Sequence, residues 1–589
     1  MCGLALHFNP HGPARALALA RLHHRGPDAR AEWTSPDARL WLGHTRLAIV
    51  DLSERGAQPM RDERSGNVIV FNGEIYNHLE LRAELARSRP QWRGTSDTET
   101  LLAAYGAWGE QMLDRVRGMF ALVIFDAAHG SLFAARDRLG MKPLYFTEAD
   151  DGWRFASETR LLHPAQAPEK SAVGRYLQNG SCPDEELLAP AVRELPAGSW
   201  LHISSSGTAV TQAYWPARKS IRSAPTEPAH RVRALLERSV REHLLADVPV
   251  ACFLSGGIDS SILTALAARQ LTRPLQTFAI GFAQAELDET KIAAEVAQRH
   301  GTEHTRVELS DDEARTLVVE AVAKLDLPSV DAVNTYIVCH AAARRGIKVA
   351  LSGLGGDELF GGYPSFRDVP RLQRLARTPL QLHRKLGFLG PRAARLADVP
   401  AGNATMLALW RRKFWTDAML AEAGLPPAPL PNVEELDLPD DFARVSWAEL
   451  RGYMKNMLLR DADAMSMAVS LELRLPFLDH ELVEYVLGLP AAEKQRGDGV
   501  KPLLVESCAD LLPPSVYQRP KQGFGLPMDA WMRGPLRWFV TDGLVGAMTA
   551  LPDVLVQRLA DEFERKQLHW TRLWQLVVLG HYLRRSPRN

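Results

Sequence analysis

The chain has 589 residues, more than one hydrophobic core accommodates, so its length predicts at least two domains. Its composition, 46% hydrophobic and 24% charged, matches an ordinary globular protein. The 70 basic and 70 acidic side chains balance, so no basic field favours a nucleic acid or an anionic membrane as a partner.

Neither the cysteines nor the apolar runs indicate an exported or membrane-spanning protein. The five cysteines are scattered and form no CxxC pair, which disfavours a disulfide framework and a zinc site. The apolar runs are far shorter than the ~20 residues that span a bilayer. Pro10 and Pro13 interrupt the N-terminus before a signal peptide forms. We therefore expect a cytoplasmic protein.

The first part of the chain, residues 1–205, is rich in strand patterns that are separated by Gly, Pro and Asn-Gly turns. The predicted strands are 41–50, 67–71, 120–126 and 131–135, and the predicted helices are 79–88 and 98–108. This pattern predicts a layered α+β domain. The Ser- and Pro-rich stretch 206–228 predicts a linker.

After the linker, strands and helices alternate over the next hundred residues. The predicted strands are 248–254, 276–281, 303–309 and 348–351, and the predicted helices are 260–270 and 288–300. Such alternation predicts a parallel sheet whose ligand site lies beyond the carboxyl ends of its strands. From about residue 400 the pattern is mainly helical.

Cys2 becomes the first residue if the initiator methionine is removed. The free α-amine, with a pKa of roughly 7.7–8.0, then acts as a base for the thiol. An accidental Met-Cys-Gly start is the alternative. Four motifs that follow Cys2 in order are Arg25-Gly26-Pro27-Asp28, Gly43-His44-Thr45-Arg46-Leu47, Asn72-Gly73-Glu74-Ile75-Tyr76-Asn77 and Ser96-Asp97-Thr98-Glu99. With these motifs, the first 200 residues resemble the class II glutamine amidotransferases, which are N-terminal-nucleophile enzymes.

This resemblance implies layered antiparallel sheets and helices, and a glutaminase site. It assigns Arg46 to the α-carboxylate of glutamine and Glu74 and Asp97 to its α-amino group. It also assigns Asn72 and the Gly73 amide to an oxyanion hole. Arginine binds carboxylates bidentately, and preorganised donors stabilise a tetrahedral oxyanion. Taken singly, Asn-Gly is also a common turn, and an arginine is also a common surface charge.

The motif Ser255-Gly256-Gly257-Ile258-Asp259-Ser260-Ser261 lies between a predicted strand and a predicted helix. Its glycines permit close backbone approach, and the helix N-terminus presents amides to an anion. It lacks the lysine of a GxxxxGKS/T loop, so transfer of the γ-phosphate is not indicated. It resembles the PP-loop of enzymes that transfer AMP and release pyrophosphate. A second loop, 351–363, is rich in glycines and acids and is also predicted to face a ligand.

With these loops, the second half resembles the synthetase domain of the asparagine synthetase family. The resemblance implies an α/β PP-loop domain with a helical C-terminal part at 229–589, and it implies ATP and Mg²⁺. It assigns to ATP the residues Leu254, Ser255, Gly256, Gly257, Asp259, Ser260, Ile280, Ser352 and Gly353. It assigns Mg²⁺ to Asp259 and Asp357, because Mg²⁺ usually takes one or two carboxylates with phosphate oxygens. Lys501 aligns with a catalytic lysine that neutralises phosphate charge, although a solvated lysine is the alternative.

Other matches to the family are Asp461, Met467, residues 472–479, which we expect to be scaffold around the synthetase site, and residues 519–524. Two positions depart from its pattern. Val505 stands where the family often has arginine. Leu354 stands where it commonly has the acid that is implicated in forming the aspartyl-adenylate, and leucine offers neither charge nor proton.

The resemblance over nearly the whole chain implies a glutamine-hydrolysing asparagine synthetase with an internal passage for ammonia. Its partners are glutamine and a small carboxylate, with aspartate favoured, and a homodimer is one assembly open to it. Because of Leu354, the alternative is an acceptor such as a sugar acid, a peptide or a secondary metabolite. Cys2 speaks against a cyclising relative, and the retained acids speak against a non-catalytic scaffold.

Overall fold

The computed structural model describes residues 2–162, 167–183, 187–215, 221–282, 290–376, 399–497, 499–519 and 526–585. In these ranges the strands are β1 Gly3–Phe8, β2 Ala29–Thr34, β3 Leu40–Arg46, β4 Met60–Arg61, β5 Val68–Ile75, β6 Gly118–Asp126, β7 Ser131–Arg136, β8 Tyr145–Ala149, β9 Gly152–Ala156, β10 Arg193–Glu194, β11 Ser199–Ile203, β12 Ala209–Ala213, β13 Val250–Phe253, β14 Gln276–Phe282, β15 Glu303–Leu309, β16 Val349–Leu351 and β17 Glu472–Arg474.

The α-helices of the same ranges are His78–Leu85, Asp97–Trp108, Lys170–Asn179, Pro228–His243, Ile258–Ala268, Thr290–His300, Asp311–Lys324, Ala332–Ala343, Gly356–Phe360, Ser365–Ala376, Ala404–Arg411, Asp417–Glu422, Asp441–Ala448, Leu459–Met467, His480–Gly488, Ala491–Lys494, Pro502–Ser507, Pro514–Tyr517, Met528–Arg533, Arg537–Ala547, Asp553–Glu564 and Trp570–Arg585. A π-helix, Glu449–Leu458, joins two of them. Short 3₁₀ helices are Leu19–Arg25, Glu54–Gly56, Gly109–Asp114, Thr159–Leu161 and Pro476–Leu478. None of the described helices is long and apolar enough to cross a lipid bilayer.

Two antiparallel six-stranded sheets form the first half of the molecule, in the orders β10-β8-β9-β1-β3-β2 and β12-β11-β7-β6-β5-β4. Their facing side chains make one core, to which β1 contributes Leu4, Leu6 and Phe8 and the other sheet Val123. The outer face of the second sheet packs against the helices His78–Leu85 and Asp97–Trp108. The predicted layered arrangement of antiparallel sheets and helices is confirmed.

The hairpin β11–β12 extends the second sheet past the predicted domain end at residue 205. The Ser-rich stretch 204–207 is a tight turn, in which the Ser204 amide donates to the Thr208 carbonyl at 2.9 Å. Ala209 then pairs with Ile203. The start of the predicted linker was therefore wrong, because serines and a glycine suit a hairpin turn as well as a linker. The predicted linker also includes residues 216–220, which lie outside the described residues.

The third sheet is parallel, with the order β15-β14-β13-β16-β17. The chain winds outward from β13 to β15 on one side and resumes with β16 on the other. The strand order therefore reverses between β13 and β16, and a crevice for a ligand forms at such a point in parallel sheets. The loops that leave these two strands carry both glycine-rich motifs, so the predicted parallel sheet and the position of its loops are confirmed.

Closely packed helices form much of the C-terminal part, as the sequence predicts. The helices Arg537–Ala547 and Trp570–Arg585 approach each other so closely that a Cβ atom on Gly580 would overlap the Gly543 carbonyl oxygen. Gly106, also helical, has no neighbouring atom within 4 Å of its Cβ position.

We predict that Gly580→Ala lowers the melting temperature, because overpacking costs about 1–3 kcal/mol. In a domain of this size each kcal/mol corresponds to roughly 2–4 °C. Gly106→Ala is the matched control, and its melting temperature should stay level or rise, since alanine favours helices. Scanning calorimetry of both variants makes the comparison, and equal melting temperatures would contradict the packing described.

Candidate active sites

Cys2 lies in a pocket between the first half of the chain and β17. Its amide donates to Asn72 Oδ1 at 3.0 Å, and its side chain is 8% exposed. Burial raises the pKa of the Cys2 thiol above its usual range, so the thiol needs a base to become a nucleophile. The pocket is also lined by Arg46, Gly73 and Asp97, so the structure brings together residues that the sequence predicted to act together.

Arg46 ends β3 and is fixed by backbone carbonyl groups. Its Nη1 donates to the Ser53 carbonyl at 2.7 Å, and its Nη2 donates to that of Asp51. A Cβ atom on Gly56, which also lines the pocket, would overlap Nη2. These contacts are to neutral groups, so the guanidinium keeps its charge for a ligand.

Asn72 and Gly73 lie in β5, beside Cys2. The Nδ2 of Asn72 is buried and has no hydrogen-bond partner among the described residues. A Cβ atom on Gly73 would overlap the Met119 carbonyl oxygen of β6, so only glycine fits this close strand pair. A buried amide donor without a partner costs free energy unless a ligand accepts its hydrogen bond. The Asn-Gly pair is therefore strand and not a turn.

Two carboxylates, Glu74 and Asp97, also line the pocket. Asp97 begins a helix, and its Oδ2 accepts from the Ile75 amide at 2.9 Å. Burial raises the pKa of Asp97 to about 6. Burial and the neighbouring charge of Asp97 raise the pKa of Glu74 well above its usual range. The Oε1 of Glu74 is buried without a partner in the described part of the chain, so both acids favour a cationic ligand group.

The segment 472–479, expected as scaffold around the synthetase site, also reaches the pocket of Cys2. Glu472, in β17, lines the pocket of Cys2. The next alternate residue, Arg474, donates from Nη2 to Glu74 Oε2 at 3.0 Å. The strand also pairs with β16 beside the loop of Ser352, so the segment contacts both sites. Sequence reasoning did not predict Glu472 as a pocket residue. The available signal was the spacing of Glu472 and Arg474, two opposite charges on one face of a short strand.

The loop after β13 forms the second site. Leu254 is buried, and its amide donates to the Phe278 carbonyl at 2.8 Å. Ser260 Oγ, at the start of the helix Ile258–Ala268, accepts from the Ser255 amide at 3.2 Å, and Gly256 has φ +77°. The amides at this helix start suit an anion.

The loop after β16 lies against the first loop. Cβ atoms on Gly353 and Gly356 would lie 3.0 Å and 2.5 Å from side-chain atoms of Asp259. The Ser352 amide is bound by the Arg474 carbonyl at 2.9 Å. Ile280, in the neighbouring strand β14, is half-buried at the same edge of the sheet. The predicted nucleotide residues therefore cluster at the point where the strand order reverses.

Lys501 lies between the two acids that were predicted to hold Mg²⁺. Its Nζ is 2.5 Å from Asp259 Oδ2 and 2.6 Å from Asp357 Oδ1. Burial alone would lower the pKa of Lys501, but these carboxylates raise it. Lys501 has φ +54°, in the left-handed region that costs roughly 1–2 kcal/mol for a non-glycine residue, and such strain is typical of functional positions. It is not the solvated surface lysine of the alternative.

The carboxylates at this site suit a cation that also binds phosphate oxygens. Two carboxylates, those of Asp259 and Asp357, converge on the positive charge of Lys501. Gly362 leaves room for Asp357, because a Cβ atom at that position would overlap Asp357 Oδ1. The described residues contain no group of three or more metal-ligating side chains of the His, Cys, Asp and Glu types. Mg²⁺ with two carboxylates, water and phosphate oxygens is compatible with this set.

Leu354 is half-buried and packs against the hydrophobic clusters on both faces of the parallel sheet. Glu358, an acid four residues after Leu354, is buried, and its Oε1 accepts from the Tyr363 hydroxyl at 2.8 Å. Burial and the charge of Asp357 raise the pKa of Glu358 to about 7. The Asp461 carboxylate, another match, accepts from Ser329 Oγ at 2.6 Å, and Met467 is buried. Of the motif 519–524, residues 520–524 lie outside the described residues.

Comparison with known proteins gives a matching family model for each half of the chain. The family model described as Asparagine synthase matches residues 231–584, and that described as Glutamine amidotransferase domain matches residues 1–215. The chain therefore belongs to the asparagine synthase family. It is 31% identical to Asparagine synthetase (glutamine-hydrolyzing) 1 of Bacillus subtilis, over 98% of this chain and 96% of that one. It is 33% identical to a Putative asparagine synthetase of Mycobacterium tuberculosis, over 98% and 96%, and 30% identical to Amidase chyE of Penicillium rubens, over 88% and 85%.

Proposed function

We propose that the chain is a glutamine-hydrolysing asparagine synthetase, an ATP-dependent carbon–nitrogen ligase. It releases ammonia from glutamine at Cys2 and transfers it to a carboxylate activated as an acyl-adenylate, giving an amide, glutamate, AMP and pyrophosphate. The observation that carries the proposal is that Cys2 shares one pocket with Arg46, Glu74 and Asp97. Membership of the asparagine synthase family supports it.

In this proposal the pocket binds glutamine by its two charged ends. The Arg46 guanidinium suits the α-carboxylate, and Glu74 and Asp97 suit the α-ammonium. The Cys2 thiol attacks the side-chain amide carbon, with the α-amine left by methionine removal as its base. Burial, which raises the pKa of the thiol, makes that base necessary.

The developing oxyanion is bound by two donors of β5 in this mechanism. Asn72 Nδ2 is buried without a described partner, and the Gly73 amide lies beside it in the same strand. Each preorganised donor of this kind contributes about 3 kcal/mol to a transition state.

The second site activates the acceptor. Residues Leu254, Ser255, Gly256, Gly257, Asp259, Ser260, Ile280, Ser352 and Gly353 are proposed to contact ATP. Asp259 and Asp357 would hold Mg²⁺, which would offset the charge of the phosphates. Lys501, already placed against both acids, neutralises charge on the phosphates and the leaving pyrophosphate.

The proposed division of the chain keeps a glutaminase domain of the N-terminal-nucleophile type, a linker and a PP-loop synthetase domain, with the first domain extended through β12. The partners are glutamine and a small carboxylate. We place the reaction in the cytoplasm, because the five cysteines are free thiols and that compartment is reducing.

The second candidate function is transfer of ammonia to a carboxylate other than free aspartate. Leu354 favours it, since this half-buried leucine cannot pair with the ammonium of aspartate. Glu358 keeps its carboxylate on Tyr363, at a separate position of the loop. The resemblance to Amidase chyE gives only weak support to this candidate.

Cys2→Ala is expected to abolish glutamine-dependent synthesis and to leave synthesis from ammonium salts within about two-fold, because the thiol only makes ammonia. Pyrophosphate release with each nitrogen source is the measurement. A tag that blocks methionine removal should have the same effect, since it removes the proposed base. Loss of both activities in Cys2→Ala would refute the two-site model.

Asp259→Asn is expected to reduce synthesis by about 100-fold or more while sparing glutamine hydrolysis, because it removes one of two proposed Mg²⁺ ligands. Asp417→Asn, a change in an exposed acid that pairs with Lys413, is the matched control and should keep full activity. ³¹P NMR should show AMP and pyrophosphate with the wild type. ADP and phosphate would contradict the PP-loop assignment.

The acceptor is tested by kcat/KM for L-aspartate in the wild type and in Leu354→Glu. If aspartate is the substrate, the buried glutamate should lower kcat/KM by about 30-fold or more, as a misplaced charge costs ~2 kcal/mol. Wild-type turnover of aspartate that is negligible, with turnover of another carboxylate, would establish the second candidate function.

A further inference from the structure

Arg474 lies between the two sites, and its side chain is fully buried. Its Nη2 donates to Glu74 Oε2 at 3.0 Å, and its Nε donates to Glu472 Oε1 at 2.6 Å. Its Nη1 donates to the carbonyl groups of His243 and Leu245, at 2.7 Å each. All three nitrogens are therefore used, in a fork that the single ammonium of lysine does not reproduce.

The backbone of Arg474 belongs to the other site. In β17 it pairs with Leu351 of β16, and its carbonyl accepts from the Ser352 amide at 2.9 Å. Ser352 and Gly353 belong to the loop that is proposed to contact ATP. One residue thus joins that loop, through its backbone, to the proposed glutamine pocket, through its side chain.

A second contact runs beside the first. Asp247 follows the helix Pro228–His243, whose last carbonyl Arg474 binds. The Asp247 carboxylate accepts from the Asp51 amide at 2.8 Å. The Asp51 carbonyl in turn accepts from Arg46. Arg46 and Glu74, two of the three side chains proposed to hold the ends of glutamine, are therefore anchored to the segment before β13 and to β17.

We propose that Arg474 is a positioning residue that couples the two sites. Nucleotide bound at the loop of Ser352 holds Arg474, and through it Glu74, in the arrangement that binds glutamine. The inference rests on the proposed function. Because coupling between two binding sites is reciprocal, glutamine also tightens nucleotide binding. A chain without nucleotide then binds glutamine less tightly, while its hydrolysis of saturating glutamine is unchanged.

The test uses the Cys2→Ala protein, in which glutamine binds without being hydrolysed. Calorimetry measures the Kd of glutamine with and without a non-hydrolysable ATP analogue and Mg²⁺. We expect the analogue to lower this Kd about five-fold or more, the usual size of coupling between sites. Adding Arg474→Lys should abolish the difference, because lysine cannot hold Glu74, Glu472 and the two carbonyl groups together.

Arg460→Lys in the same Cys2→Ala background is the matched control. Arg460 also lies between the two halves, with its side chain 9% exposed, and its Nη2 donates to Glu194 Oε2 at 3.0 Å and its Nη1 to the Cys182 carbonyl. These partners lie outside both loops, so the nucleotide effect on the Kd of glutamine should survive this change.

Three results overturn the proposal: a Kd unaffected by the analogue, a difference that persists in Arg474→Lys, and a difference lost in Arg460→Lys. Absence of any glutamine binding to Cys2→Ala overturns the proposed function instead. If Arg474→Lys does not fold, hydrogen exchange of the Cys2→Ala protein decides. Glutamine should then slow exchange of the peptide that contains Ser352, and an unchanged rate overturns the coupling.

Discussion

Ion pairs buried between the two halves of the chain fix how those halves fit together. Arg25 Nη2 lies 2.8 Å from Asp463 Oδ2, and Arg474 Nη2 lies 3.0 Å from Glu74 Oε2. Desolvation offsets most of the attraction in such pairs, so they add little net stability. A buried charge that loses its partner costs several kcal/mol, however. A docking that separated these pairs would leave buried charges without partners, and both sites depend on the observed arrangement.

The consequence for the proposed glutamine pocket is that the first half does not complete it. Glu472 lines the pocket from β17, and Arg474 binds the Glu74 carboxylate beside it. Burial and the charge of Asp97 raise the pKa of Glu74, and the Arg474 guanidinium opposes that rise. The parallel sheet of one half thus contributes to the charge balance in the pocket of the other.

Much of this arrangement could be predicted from sequence, because the glycines at both sites lie where another part of the chain comes too close for a side chain. Gly73 adjoins the Met119 carbonyl, and Gly356 adjoins the Asp259 carboxylate, so the motifs are visible as fixed residues at fixed spacing. The strand 303–309 was predicted with its observed bounds, since its alternating pattern is local. The observed helix starts differ from the predicted ones by a residue or two. The helix predicted from residue 98 starts at Asp97, because Ser96 caps it.

Contacts between distant segments could not be predicted in this way. Glu472 is 398 residues from Glu74 in the chain, and no local pattern distinguishes scaffold from a pocket wall at that separation. The prediction that a linker begins near residues 204–207 was wrong for a different reason. Serine and glycine are common both in hairpin turns and in linkers, so composition does not distinguish the two. The pairing of Ala209 with Ile203 shows that this stretch is a hairpin turn.

On the synthetase side, the contact that joins the two sites is a backbone hydrogen bond. The choice of acceptor can therefore change without changing that contact. The Ser352 amide binds the Arg474 carbonyl, so the link does not depend on the side chains of that loop. Leu354, two residues on, packs against apolar side chains. In the proposed mechanism, a side-chain change at position 354 alters the acceptor pocket while the hydrogen bond to β17 remains. An enzyme of this architecture then changes its acceptor without losing the coupling between glutamine binding and nucleotide binding.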